Sequence, residues 1–245
     1  MEKGDSIQKR SSKGGTEMTK HREERIPIVG MRKKIYKNLV QSAFTIPHAT
    51  GMEEVQVDAL ITYKKKLAEQ SNVHITYLPI IMKIVAQMLQ KYPIFNATID
   101  EKANEIVLKK EINLGVAIAT PEGLIVPIIK ETDEKTIEEI AIELQDVTER
   151  ARQGTLKITD IAGGTFTISN TGAKGGTYAT PIINFPQVAI LGVHAMKERP
   201  VILLDRTIGI GTMMGMSLSF DHRIIDGDLV GLFMNDLKEA IENIH

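Results

Sequence analysis

One histidine in this chain has neighbours suited to acid–base chemistry. His222 lies in the run Asp221-His-Arg-Ile-Ile-Asp-Gly227, directly after an apolar segment, Met216 to Phe220, that predicts a buried strand. A free imidazole has a pKa of roughly 6.5, so a histidine held at a strand end is largely neutral near pH 7 and can accept a proton. We therefore predict that His222 is a general base.

The charged residues around His222 also allow a structural interpretation. Asp221 and Arg223 can belong to a salt-bridge network that supports the segment. Asp226 can cap the last helix, with Gly227 easing the turn into it. The structural and catalytic interpretations can hold together, because a catalytic imidazole needs a fixed position.

A second candidate segment, Ser169 to Thr177, is rich in glycine and follows the alternating strand pattern of residues 165–169. An ordinary turn is the favoured interpretation of such glycines taken alone. The GxxxxGK[ST] order of a phosphate loop and the GxSxG frame of a nucleophile elbow are both missing. The alternative is that the hydroxyl of Ser169, at the strand end, donates to a developing oxyanion.

The composition of the 245-residue chain excludes several classes of function. The formal net charge of -1 gives no electrostatic basis for binding nucleic acid or membranes, and no apolar run is long enough to span a bilayer. Cysteine is absent, which excludes thiolate nucleophiles and favours a reducing, cytoplasmic location. The remaining histidines lack metal-ligand spacing, so we expect no metal site: His21, His48, His74, His194 and His245.

The chain divides into a polar segment, residues 1–24, and a globular domain, residues 25–245. The polar segment cannot bury enough apolar surface to offset the entropy of ordering it, so we predict a flexible tail or an interdomain linker. The remainder mixes helix and strand patterns without regular alternation. This mixture predicts an α+β fold, in which a mixed sheet is flanked by helices.

Helical periodicity predicts helices that start near Met31, at an N-cap Asp58, at Leu78 and at Ile137. A last helix carries an apolar face that can be either core or subunit interface: Val230, Phe233, Leu237 and Ile241. Strands are predicted over residues 94–99, 105–109, 113–119, 124–129, 165–169, 188–193, 201–204, 207–210 and 216–220.

Several motifs, in uninterrupted order from about residue 25 to the C-terminus, resemble those of one family. They are Phe166-Thr-Ile-Ser-Asn-Thr-Gly172, Pro181-Ile-Ile-Asn-Phe-Pro186, Ala189-Ile-Leu-Gly192 and the Asp221–Gly227 run, with Ile26-Pro-Ile-Val-Gly-Met-Arg32, Pro47-His48, Asn113-Leu-Gly-Val-Ala117 and Gly123-Leu-Ile-Val-Pro127. The chain resembles the catalytic domain of dihydrolipoyl acyltransferases, the core components of 2-oxoacid dehydrogenase complexes. That domain is structurally akin to chloramphenicol acetyltransferase.

The resemblance implies roles for both candidate segments. His222 would remove the proton from the thiol of coenzyme A or of dihydrolipoamide, and Ser169 would donate a hydrogen bond to the oxyanion formed when the thiolate attacks the acyl thioester. Asp226 would orient the site rather than transfer a proton. The supporting residues would be Asp221, Asn170, Gly172 and Arg223, the arginine through a carboxylate pair.

The resemblance also implies an assembly. In that family the active site lies between subunits of a trimer, and the trimers build a hollow cage that works with lipoyl domains, a 2-oxoacid decarboxylase and dihydrolipoamide dehydrogenase. No lipoyl domain is recognisable in this sequence, so we expect the lipoyl substrate to come from elsewhere. An acetyl or branched-chain acyl group is favoured over succinyl. Two alternatives stay open: a stand-alone acetyltransferase for a small hydroxyl compound, and a non-catalytic oligomeric scaffold.

Overall fold

A six-stranded mixed sheet forms the centre of the molecule. The computed structural model describes residues 24–172, 175–203 and 205–245. The sheet contains β1 (His48–Gln56), β4 (Leu114–Val116), β7 (Ile128–Ile129), β8 (Phe166–Asn170), β9 (Ala189–Ile202) and β10 (Ile208–Asp221) in the order β1-β10-β9-β8-β4-β7. Strand β10 is antiparallel to β1 and β9, whereas β9, β8 and β4 are mutually parallel. Two small hairpins pair β2 (Ala97–Asp100) with β3 (Glu105–Leu108) and β5 (Ile118–Thr120) with β6 (Gly123–Ile125).

In the described part of the chain, five α-helices accompany the sheet: α1 (Gly30–Thr45), α2 (Asp58–Gln70), α3 (Tyr77–Lys91), α4 (Ile137–Gln153) and α5 (Gly227–Glu242). The sequence at the two ends of α4 explains where this helix begins and ends. Thr136 and Glu139 form a capping box at its start, and Gly154 ends it with a φ of 69°. Within the described ranges, no helix is both long and apolar enough to cross a membrane.

One face of the sheet carries the apolar core. Side chains alternate between the two faces of a strand, so Phe166, Ile168, Leu191, Leu218 and Phe220 all point to the side covered by α2, α3, α4 and α5. The apolar face of α5 is buried in this core: Val230, Phe233, Leu237 and Ile241. Core packing within the chain is therefore the correct interpretation of that face.

The opposite face of the sheet is polar and is covered by α1 and by residues 181–186. Ser42 of α1 donates a hydrogen bond to the carbonyl of Ile183 (2.6 Å), and Asn38 donates to that of Phe185 (3.1 Å). The alternating residues that point to this face include Thr167, Ser169, His194, Ser217 and Ser219. The candidate site lies on this polar face.

The strands predicted at 201–204 and 207–210 do pair with each other, but the prediction of separate strands at 188–193 and 216–220 was wrong. Residues 188–193, 201–204, 207–210 and 216–220 belong to one long hairpin, β9 and β10, apart from Leu204, which lies outside the described residues. Pro200 does not interrupt β9, because β8 pairs with β9 only as far as Val193. Among the described strands, β9 beyond that point pairs only with β10, and a strand with a free edge can contain proline.

Smaller predictions failed for local reasons. Asp58 is the first residue of α2 rather than its N-cap, and its carboxylate accepts hydrogen bonds from Gln56 and from the N–H of Thr212. Residues 113–129 form four short strands rather than the two that were predicted. Pro127 lies between β6 and β7, within the second predicted strand. Pro93–Phe95 is a 3-10 helix instead of the beginning of a strand.

The predicted tail, residues 1–24, lies outside the described residues except for Glu24.

Candidate active site

His222 is placed by the end of β10 and by the segment before β1. Its N–H donates to the carbonyl of Pro47 (3.2 Å), and its ring lies 5.3 Å from the ring of Phe220, measured between centroids. The side chain is 49% exposed. The backbone is therefore fixed while the imidazole stays accessible to a substrate.

An ion pair immobilises the segment on both sides of His222. Asp221 is 1% exposed, and its two carboxylate oxygens accept from Nε (2.9 Å) and Nη2 (2.7 Å) of Arg223 as well as from the Arg223 N–H (3.0 Å). Pairing with Asp221 raises the pKa of the Arg223 guanidinium. Nη1 reaches Glu101 in the turn of the β2–β3 hairpin (3.1 Å). The predicted pairing of Arg223 with a carboxylate is thus present.

Asp226 lies beside the imidazole but does not cap the helix. It occupies the N-cap position of α5, yet its side chain makes no capping hydrogen bond and is 84% exposed. The turn into α5 does not need Gly227 for conformational reasons either, because that residue has no positive φ. Asp226 Oδ1 lies 3.8 Å from His222 Nδ1. This separation is longer than a hydrogen bond, so the role of Asp226 in orienting the imidazole stays a prediction.

Ser169 lies near the end of β8, in a groove of about 430 Å³. The half-buried Ser169 side chain shares this groove with mainly apolar residues, among them Ile35, Leu39, Val126, Ile182 and Ile190. The other polar residues of the groove are Lys34, Asn38, Thr167 and Asn184. If a bound substrate excluded water from this groove, a hydrogen bond from Ser169 to a developing negative charge would be stronger than in water.

The loop after Ser169 turns sharply. Asn170 Oδ1 accepts a hydrogen bond from the N–H of Gly172 (2.8 Å), and Gly172 has a φ of 56°, a conformation that favours glycine. Asn170 and Gly172 thus form the turn that ends β8, while Lys174 lies outside the described residues.

His222 and Ser169 do not meet within one chain. Ser169 pairs with Gly192 in β9, which pairs with Ser217 in β10, and His222 follows Ser217 by five positions. At the usual strand dimensions, His222 is roughly 16 Å along the strands and roughly 10 Å across them from Ser169. A base and an oxyanion donor for one reaction must both lie within hydrogen-bond reach of the same thioester. We call the His222 region and the Ser169 region of the chain its two candidate half-sites.

The sequence interpretation missed three groups that hold these half-sites: the carbonyl of Pro47, the carboxylate of Glu101 and the imidazole of His194. The first two act across long sequence separations that no local pattern reveals. His194 could have been noticed, because it continues the alternation of the strand predicted to end at Val193. Among the residues that the structure describes, no cluster of three or more His, Asp or Glu side chains could hold a metal ion.

The family model for the catalytic domain of 2-oxoacid dehydrogenases acyltransferase matches residues 20–245. The chain belongs to this acyltransferase family. The acetyltransferase component of the pyruvate dehydrogenase complex of Bacillus subtilis is 38% identical over 224 residues, which cover 90% of this chain and 50% of that protein. This acyltransferase chain therefore spans about half the length of the curated relatives that it matches.

Solved structures agree with the family and with the predicted fold. The dihydrolipoamide acetyltransferase of Azotobacter vinelandii has a TM-score of 0.86 and 33% identity, covering 91% of this chain and 92% of that one. A cubic core of a pyruvate dehydrogenase multienzyme complex matches with the same TM-score, identity and coverage. Chloramphenicol acetyltransferase shares the fold at a TM-score of 0.56 and 14% identity, covering 88% of this chain and 99% of that one. The predicted α+β fold is confirmed.

The Azotobacter enzyme was studied for the role of a serine, a histidine and an asparagine in its catalytic mechanism. The asparagine follows the histidine there by four positions, which is the spacing between His222 and Asp226 here. This chain has an aspartate, Asp226, at the spacing where the Azotobacter enzyme has an asparagine.

Proposed function

We propose that this domain transfers an acetyl group between dihydrolipoamide and coenzyme A. The proposal depends on one observation above all. A half-exposed imidazole, His222, is fixed beside the ion pair of the buried Asp221 with Arg223, in a chain of an acyltransferase family. The names of the curated relatives support acetyl among the acyl groups that the sequence leaves open.

The reaction proceeds through direct attack by a thiol. Nε2 of His222 takes the thiol proton of coenzyme A, and the thiolate forms a C–S bond with the carbonyl carbon of the acetyl-dihydrolipoamide thioester. The carbonyl electron pair moves to oxygen, where the hydroxyl of Ser169 donates a hydrogen bond. The tetrahedral intermediate then breaks its other C–S bond, and the dihydrolipoamide sulfur recovers the proton from His222. Asp226 orients the imidazole throughout.

A neighbouring copy of the chain completes each site. The separation between His222 and Ser169 supports a homotrimer in which the imidazole of one subunit faces the hydroxyl of the next. The groove beside Ser169 and the exposed apolar residues of α1, such as Tyr36 and Phe44, are surfaces that a second copy would cover. We propose that such trimers form the cage of a 2-oxoacid dehydrogenase complex, which uses lipoyl domains, the decarboxylase and dihydrolipoamide dehydrogenase as partners.

Two variants test the catalytic assignment. With acetyl-CoA and free dihydrolipoamide, we expect His222→Ala to lower kcat by several orders of magnitude, and Ser169→Ala to lower it by about 100-fold, the usual effect of losing one oxyanion donor. The mass of the assembly is the control and should not change. Near-normal turnover by His222→Ala in an intact assembly would contradict the proposal.

Mixing the two inactive chains tests whether the site is shared. In random hybrid trimers, about a quarter of all sites combine an intact His222 from one chain with an intact Ser169 from the other, so about a quarter of wild-type activity should return. Co-expression of the two chains followed by a turnover assay measures this recovery. If each chain built its own complete site, no recovery would occur.

A further inference from the structure

A buried imidazole next to Ser169 has no part in the proposed reaction. His194 of β9 is 3% exposed, and its Nε2 lies 2.8 Å from the hydroxyl of Ser217 in β10. Its Nδ1 lies 3.2 Å from the hydroxyl of Thr171, and the edge of Tyr178 packs against the ring. Burial lowers the pKa of His194, so the ring is neutral near pH 7. A neutral imidazole supplies one donor and one acceptor, which matches its two hydroxyl partners.

Thr171 is the last point at which the Ser169 strand is attached to the sheet. Its N–H donates to the carbonyl of Val193 (3.1 Å), and the chain then turns away at Gly172. Its hydroxyl also lies 3.4 Å from that carbonyl, and the contact with His194 attaches the same hydroxyl to the polar face of the sheet. Because Thr171 is two positions after Ser169, both side chains point to the polar face of the sheet.

Glycine at position 192 makes room for this arrangement. Gly192 lies between Ser169 and Ser217 in adjacent strands. A Cβ at this position would lie 2.5 Å from the Ser217 hydroxyl and 2.9 Å from the ring of His194. The imidazole therefore leans back over Gly192, the residue that pairs with Ser169 of β8.

We propose that His194 is a positioning residue for acyl transfer, because its ring ties the end of β8 to β10 and so holds the Ser169 hydroxyl at the angle that the oxyanion requires. This inference rests on the proposed function. An oxyanion donor must lie about 2.7–3.1 Å from the developing charge. A displacement of about 1 Å in a catalytic group can lower the rate about 100-fold. Loss of the His194 contact leaves Thr171, two residues from Ser169, attached to β9 through the carbonyl of Val193 but no longer tied to β10.

Three variants of the intact assembly test this role. His194→Leu keeps the bulk of the ring and removes both polar contacts, whereas His194→Gln keeps a donor and an acceptor. We expect His194→Leu to lower kcat by about 10- to 100-fold, while the KM values for acetyl-CoA and dihydrolipoamide stay within about twofold. His194→Gln should restore most of the lost kcat. Thr171→Val should lower kcat in the same direction, and adding it to His194→Leu should cause little further loss.

The outcomes separate positioning from simple core packing. Circular dichroism and assembly mass identify the temperature range in which each variant is folded, and kcat is measured there. A His194→Leu protein that unfolds more easily but keeps wild-type kcat would overturn the proposal, as would His194→Gln with the same kcat as His194→Leu. If His194→Leu does not assemble, the kcat of Thr171→Val decides. Failure of the proposed function is distinguishable, because the wild-type protein itself would then lack acyl transfer.

Discussion

The two half-sites of this chain are held in opposite ways. At the end of β10, charges fix His222: a buried carboxylate, Asp221, pairs with the guanidinium of Arg223. At the end of β8, neutral hydrogen bonds fix the strand that carries Ser169: Asn170 accepts one from Gly172, and Thr171 shares one with His194. This difference between charged and neutral contacts matches the roles proposed for His222 and Ser169. A base that gains and loses a proton in each cycle tolerates charged neighbours and solvent, whereas an oxyanion donor acts best where water is excluded.

The two ways of holding a residue should also fail differently. A buried ion pair contributes little net stability, but removing one partner leaves an unpaired buried charge, which costs about 3–5 kcal/mol. A neutral hydrogen bond typically contributes only about 0.5–1.5 kcal/mol, so the loss of one contact near Ser169 should leave the fold intact. We therefore expect the loss of a supporting contact of His222 to lower mainly the free energy of unfolding. The loss of a supporting contact of Ser169 should lower mainly kcat.

The largest expected loss of stability is that caused by Arg223→Met. This change leaves Asp221 buried without its guanidinium, so the free energy of unfolding should fall by about 3–5 kcal/mol. Urea unfolding at pH 7, at a fixed protein concentration, measures the loss. Asp221→Asn should cost less, because the Arg223 side chain is 32% exposed and can turn to solvent. The double variant should recover part of the loss of Arg223→Met.

Glu101→Gln is the matched control for this ion pair. Glu101 also contacts Arg223, but its side chain is 58% exposed, and exposed ion pairs typically contribute less than about 1 kcal/mol. An effect of Glu101→Gln as large as that of Arg223→Met would show that the segment around His222 depends on the β2–β3 hairpin rather than on the buried pair.

The two half-sites also differ in how far the sequence predicts them. The run from Asp221 to Gly227 is local, so the pairing within it could be expected from the order of its residues. The attachment of Ser169 depends on the register of β8, β9 and β10, which brings Thr171, His194 and Ser217 together across separations of 23 residues. Periodicity predicts which face of a strand is buried, but not which strands are neighbours. The α+β class was predictable because it depends on the periodicities along the chain. The length of the β9–β10 hairpin was not, because it depends on which strands pair.

A smaller effect is expected from Gly192→Ala. The added methyl would clash with the hydroxyl of Ser217 and the ring of His194, and overpacking of this kind typically costs about 1–3 kcal/mol. Displacement of the ring should also lower kcat more than it changes either KM. Thermal unfolding and steady-state kinetics measure both effects. The control is Gly231→Ala in α5, where a Cβ meets no atom within 4 Å and alanine should stabilise the helix by about 0.5–1 kcal/mol.

The smallest expected effect is a dependence of stability on pH at the Ser169 half-site. Burial lowers the pKa of His194, so below the ordinary histidine pKa of about 6.5 the unfolded chain binds a proton that the folded chain excludes. The contribution of this group to stability is therefore complete above about pH 6.5 and is lost as the pH falls toward the lowered pKa. Urea unfolding of wild type and His194→Gln at pH 7.5 and 5.5 isolates it, because the other titrating groups are the same in both proteins. The wild type should lose more stability than the variant between the two pH values. An equal loss would mean that the ring accepts its proton in place, since an imidazolium can donate to both Thr171 and Ser217, and the Ser169 half-site would then tolerate charge as the His222 half-site does.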